Sequence, residues 1–68
     1  MPAGGQDKRE VFIEFVLHGG LLKATAIDSV TGTEASVFGP ATAPRSALAY
    51  NAAAKLAYVL KKREEKSE

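Results

Sequence analysis

Between Val11 and Gly39 the apolar residues come in short runs, broken twice by turn-forming residues, and beyond Pro44 their spacing becomes that of a helix. VFIEFVLH, residues 11–18, is β-branched or aromatic at most positions, which is the composition of a strand. Gly19-Gly20 follows, and glycine supplies the positive φ that a two-residue hairpin turn needs. LLKATAID, residues 21–28, reads as the second strand, and TEASVFG, residues 33–39, as the third. The intervening SVTG, residues 29–32, reads as a turn in which Asp28 bonds backbone amides and Gly32 turns left-handed. Pro40 has no amide hydrogen and is expected to end the pairing.

These turns fix a register. A loop of Gly19-Gly20 sets Leu17 opposite Leu22, Phe15 opposite Ala24 and Ile13 opposite Ala26. A loop of residues 29–32 sets Ala26 opposite Ala35 and Ala24 opposite Val37. One face of the sheet then carries apolar side chains everywhere except Asp28 and Thr33 at the turn. A slip of one residue in either hairpin would destroy that sorting.

RSALAYNAAAKLAYVLKKREEK reads as a helix, with Thr42 as its cap and Pro44 in its first turn. Leu48, Ala49, Ala52, Ala53, Leu56, Val59 and Leu60 form a wide apolar stripe, and the basic run 61–63 suits the negative end of the helix dipole. The stripe has one place to go, the apolar sheet face. Ala24, Ala26 and Ala35, on the central and third strands, let the helix approach closely there, with Phe15, Leu17, Leu56 and Leu60 expected to fill the margins. The expected fold is α+β: a three-stranded antiparallel meander in the order 1-2-3 packed on one C-terminal helix, a β-β-β-α two-layer sandwich with two open edges. Residues 1–9 read as a flexible tail, 10–63 as the single domain, and 64–68 as a frayed end.

Composition narrows the functional classes. Sixty-eight residues give a small core, and with no cysteine neither a disulfide nor a thiolate metal site can reinforce it. Nine basic and eight acidic residues nearly cancel, whereas a dedicated nucleic-acid binder usually shows a strong positive balance. No apolar run reaches the roughly 20 residues of a membrane span, and the N-terminal stretch has no apolar core of a signal peptide. A cytoplasmic protein without membrane attachment is expected, with self-association as a source of extra stability.

VFIEFV, ATAIDSVTGTEASVFGPATAP and AAAKLAYVLKKR together resemble a family of small proteobacterial proteins defined only as a domain of unknown function. The resemblance spans Val11 to Arg63, and its most specific part is Asp28-x-x-Thr31-Gly32-x-Glu34 followed by Gly39-Pro40. Some members carry the label serine hydroxymethyltransferase, which the chemistry argues against. Pyridoxal-phosphate catalysis needs a Schiff-base lysine in a deep pocket with a phosphate cradle, and Lys23 would sit on a three-stranded sheet with no room behind it. The resemblance carries over no catalytic residue and no cofactor.

Each chemical candidate has a simpler explanation. His18 is the one histidine and has no ligand partners nearby in sequence, so it reads as a solvent-facing strand end. Gly19-Gly20 joins strand to strand, whereas a phosphate-binding loop runs from a strand into a helix. Asp28 and Glu34 lack the ligand spacing of a calcium loop, and Asp28 reads as a turn cap. No catalytic residue, metal ligand, cofactor site or small-molecule substrate site emerges.

Two surfaces stand out instead. The second sheet face presents Phe12, Val16, Leu21, Lys23, Ile27 and Phe38, and no remaining element can cover it. The outer helix face brings Tyr50, Ala54 and Tyr58 together, with Ala47 and Ala57 beside them. The expected function is a small non-catalytic interaction or assembly module, docking on a larger protein or on a second copy as a homodimer. The alternative is a nucleic-acid-binding β3-α domain, but that mode wants several basic readers, and the exposed face offers Lys23 against Glu14 and Glu34.

Overall fold

A computed structural model describes residues 9–66, the side chains of 64–66 excepted. Strand β1 spans Val11–His18, β2 Leu21–Asp28 and β3 Glu34–Pro40, and the helix α1 spans Arg45–Lys66. The sheet is antiparallel in the order β1-β2-β3, with the helix against one face. The three-stranded α+β sandwich expected from the sequence is therefore present. Residues 1–8 of the expected tail lie outside the described residues, as do Ser67 and Glu68.

The register agrees with the turn lengths. Phe15 pairs with Ala24, Ile13 with Ala26, Ala26 with Ala35 and Ala24 with Val37. Gly19 takes φ +62° and Gly20 stays negative, the pattern of a II′ hairpin turn. Gly32 takes φ +77°, which closes the second turn together with a bond from its own N–H to the Asp28 carbonyl at 2.8 Å.

Two details differ from expectation near Pro40. Pro40 belongs to β3, opposite Leu21, and pairing continues to Ala41, whose N–H donates to Gly20 O at 2.8 Å. Antiparallel pairs alternate between bonded and unbonded positions. Asp28–Thr33 and Ala41–Gly20 are bonded positions, so Pro40 falls on an unbonded one, and its missing N–H points away from β2. The helix cap also shifts. Among the described residues Pro44, not Thr42, holds the cap position, because its carbonyl accepts from the Ala47 and Leu48 N–H groups at 3.2 and 3.3 Å.

The core is small and built largely from alanine. Leu22, Ala24, Ala26, Ala35, Leu48, Ala52 and Leu56 are buried, with Ile13, Val37, Ala43 and Leu60 half-buried around them. Ala24, Ala26 and Ala52 have no exposed surface at all. Small side chains on both sides let the helix lie close to β2 and β3. Gly39 extends this seat, since a Cβ there would stand 2.9 Å from Leu48 Cδ2. Gly39 thus makes room for the helix near the end of the strand.

That seat overturns one expectation. The expectation places the helix close over the alanines of β2 and β3 with Phe15, Leu17, Leu56 and Leu60 filling the margins, but Leu56 lies in the core and Phe15 and Leu17 fall outside the seat. The helix packs on β2 and β3 and touches β1 little, so Val11, Phe15 and Leu17 stay 44%, 36% and 59% exposed. Phe15 gains a partial cover from Arg45, whose guanidinium stands 5.4 Å from the ring centre.

Filling the seat should cost more than trimming the open strand. Ala26→Leu should destabilise the fold by about 1–3 kcal/mol through overpacking, whereas Leu17→Ala should change it by about 0.5 kcal/mol, near the surface level. Urea unfolding of both variants checks this ordering.

Candidate functional site

Alternation along β1, β2 and β3 sends Phe12, Val16, Leu21, Lys23, Ile27 and Phe38 to the face opposite the helix. Phe12, Val16, Leu21 and Phe38 are half or more exposed, at 52%, 50%, 53% and 62%. Lys23 and Ile27 are half-buried among their neighbours. Lys23 lies in the sheet between Val16 on β1 and Phe38 on β3. Around it Val16, His18, Leu21 and Phe38 frame an open hollow of about 330 Å³. Thr25, at the middle of this face, is buried and shares a 2.8 Å hydrogen bond with the Ser36 hydroxyl. The polar row Glu14-Thr25-Ser36 thus crosses the three strands and divides the face into two apolar ends.

The second expected surface is also open. Tyr50 and Tyr58 are 75% and 63% exposed, and Ala54 lies exposed between them. Lys62 Nζ stands 6.0 Å from the Tyr58 ring centre. The nine expected contact residues therefore fall on two separate surfaces. Seven are exposed, and Lys23 and Ile27 are half-buried.

The buried polar group lies elsewhere. Asp28, at the end of β2, has no exposed surface. Its Oδ2 accepts from Thr31 N–H at 2.9 Å and from the Thr31 hydroxyl at 2.8 Å. Its Oδ1 stands 3.0 Å from Arg9 Nε, an ion pair in which the N–H is not aimed along the line to the oxygen. Thr31 Oγ1 and Thr33 Oγ1 share a hydrogen bond at 2.7 Å, and Arg63 Nη1 donates to the same Thr33 oxygen at 2.8 Å. The Asp28-x-x-Thr31-Gly32 turn therefore ties both ends of the domain together. Burial alone would raise the Asp28 pKa. The Thr31 N–H and hydroxyl, the Arg9 charge and the Val30 N–H outweigh it and hold the carboxyl below its ordinary value.

The cluster is held by this chain's own groups, by hydrogen bonds at Asp28 Oδ2 and by the Arg9 ion pair at Oδ1, which makes it a structural clasp. Among the described residues, no group of three or more histidine or acidic side chains is placed to hold a metal ion. No helix among them is long and apolar enough to cross a membrane. His18 contributes only to the rim of the open hollow.

Three cations were not anticipated in these roles: Arg9 and Arg63 at the clasp, and Lys55, whose Nζ donates to the Ser36 carbonyl at 2.9 Å. For Arg63 the only sequence cue was a basic run at the helix end. For Lys55, its reach toward β3 depends on how the helix crosses the sheet, which no local pattern encodes.

A family model described as a domain of unknown function (DUF6898) matches residues 8–63. No curated protein and no solved structure matches the chain.

A depressed Asp28 pKa adds stability above the ordinary carboxylate range, and that stability is lost as pH falls below about 4. Asp28→Asn should therefore be less stable than the parent at pH 7, with the gap narrowing toward pH 3. Thermal melts of both proteins across that range test the sign.

Proposed function

From the premise that the chain belongs to the DUF6898 family, a domain of unknown function matched over residues 8–63, we propose that it is a non-catalytic protein-interaction module. The observation that carries this reading is the uncovered sheet face. Val16, Leu21 and Phe38 cluster around Lys23 at one end of a face where no other element among the described residues lies, and Phe12 and Ile27 form a second apolar pair beyond the polar row Glu14-Thr25-Ser36. Large exposed apolar side chains gathered on one face are a signature of contact surfaces. Aromatic residues at the centre of such a patch carry much of the binding energy.

The chemistry of the face favours a protein surface as its occupant. Lys23 and His18 stand with Glu14 and Glu34, a mixed and nearly neutral set that offers little attraction to a phosphate backbone. The hollow beside Phe38 is shallow and open, suited to an inserted side chain more than to an enclosed small molecule. The exposed tyrosines of α1 lie on the other side of the molecule and offer a second, independent contact. A cytoplasmic setting suits a cysteine-free chain.

Phe38→Asp should weaken docking of a partner on this face by about tenfold or more while leaving the melting temperature within a few degrees of the parent. Calorimetry against a partner captured with the parent chain, together with a thermal melt, reads both quantities. An unchanged affinity removes the sheet face from the interface.

A further inference from the structure

The two edges of the sheet are not alike. On β3 the backbone groups that point away from β2 belong to Glu34, Ser36, Phe38 and Pro40, since the intervening residues bond inward. Two of these four are blocked. The Ser36 carbonyl already accepts from Lys55 Nζ, and Pro40 has no N–H to offer. A lysine and a proline on an edge are the usual means of preventing strand-to-strand association.

On β1 no such device is present. Ser29 N–H donates to Glu10 O, which marks the even residues of β1 as the ones bonded to β2. The outward groups then belong to Val11, Ile13, Phe15 and Leu17, and among the described residues nothing bonds to them. The strand is eight residues long, without proline, lysine or glycine. It is open on both faces as well as along its edge. Val11, Phe12, Phe15, Val16 and Leu17 are all 36–59% exposed.

We propose that β1 pairs antiparallel with β1 of a second copy, joining two sheets into one of six strands with both helices on the same side. This rests on the interaction-module reading and names the partner. Side-chain size puts the exposed apolar surface of those five residues on the order of 500 Å² per copy, or about 1,000 Å² for two, an upper bound on what their pairing covers. The outward main-chain groups add hydrogen bonds along the seam.

Charge selects the register. Outward odd residues must pair with outward odd residues, which leaves three central alignments. Centring on Glu14 sets two carboxylates directly opposite each other, and like charges at that spacing repel. Centring on Ile13 sets Glu14 against Phe12 of the second copy, with Ile27 beyond it. Centring on Phe15 sets Glu14 against Val16 of the second copy, with Lys23 as the next residue across. Only this last alignment brings a cation toward Glu14. It also sets Phe15 against Phe15 and Ile13 against Leu17 on the helix side, extending the apolar layer that α1 leaves uncovered.

Because the chain contains no cysteine, single substitutions read this geometry directly. Phe15→Cys lies on the two-fold axis, where facing Cα atoms stand about 5.5 Å apart, within disulfide range. It should cross-link under mild oxidation well ahead of Ile13→Cys and Glu14→Cys. Sedimentation of the reduced parent at high micromolar concentration should give twice the 7.2 kDa chain mass. Leu17→Lys, at a well-exposed position, should raise the dissociation constant about tenfold or more, whereas Phe38→Asp should leave it unchanged. A monomeric parent overturns the proposal, as does a cross-link strongest at residue 13 or 14. A dimer disrupted by Phe38→Asp and not by Leu17→Lys also overturns edge pairing, while leaving the sheet-face reading standing.

Discussion

The close contact between alanines of the sheet and alanine of the helix governs the architecture. Ala24 and Ala26 on β2, Ala35 on β3 and Ala52 on α1 are all buried, and none has a side chain long enough to hold the layers apart. The close seat is also narrow. Leu22 on β2 and Leu48 and Leu56 on the helix supply most of the buried bulk. A domain of 68 residues has few apolar side chains to spare, so tight packing on two strands is bought at the expense of the third. The exposure of β1 on the helix side follows from this choice of small residues.

The same constraint gives the two edges different characters. With α1 close above β3, Lys55 can reach the Ser36 carbonyl and occupy that edge, and Pro40 stands where its missing donor faces outward. Over β1 the helix reaches the Phe15 ring through Arg45, which leaves the outward main-chain groups of that strand open. At the turn end, Arg9 and Arg63 converge on Asp28 and Thr33 from opposite ends of the domain, which fixes β1 and the helix terminus to the second hairpin. The domain is thus clasped at one end and closed along one edge. An apolar strand remains beside an apolar sheet face, and any contact surface has to be drawn from these.

Much of this was legible in the sequence, for identifiable reasons. Gly19-Gly20 and Asp28 to Gly32 are strong turn instructions, and together with strict alternation they fix both registers. The helical stripe from Leu48 to Leu60 follows from spacing alone. The outward faces of Phe12, Phe38, Tyr50 and Tyr58 follow from the same periodicities. Three-dimensional choices were not legible. The alanines of the second and third strands marked where the helix comes close, but its reach beyond them was not encoded, so Phe15 and Leu17 were expected to be more enclosed than they are. Sequence placed Pro40 as a stop, whereas pairing parity lets it stand inside the strand. It gave Arg63 to the helix dipole, whereas the hydroxyl of Thr33, thirty residues away, is its partner.

Amide hydrogen exchange along β1, followed residue by residue at several protein concentrations, tests the account most directly. Phe12, Glu14 and Val16 face β2 and should be protected in dilute and concentrated solution alike. Ile13, Phe15 and Leu17 should exchange freely when dilute and slow progressively as concentration rises. Equal exchange of these three amides at every concentration, in a chain whose β2 amides are fully protected, would contradict it.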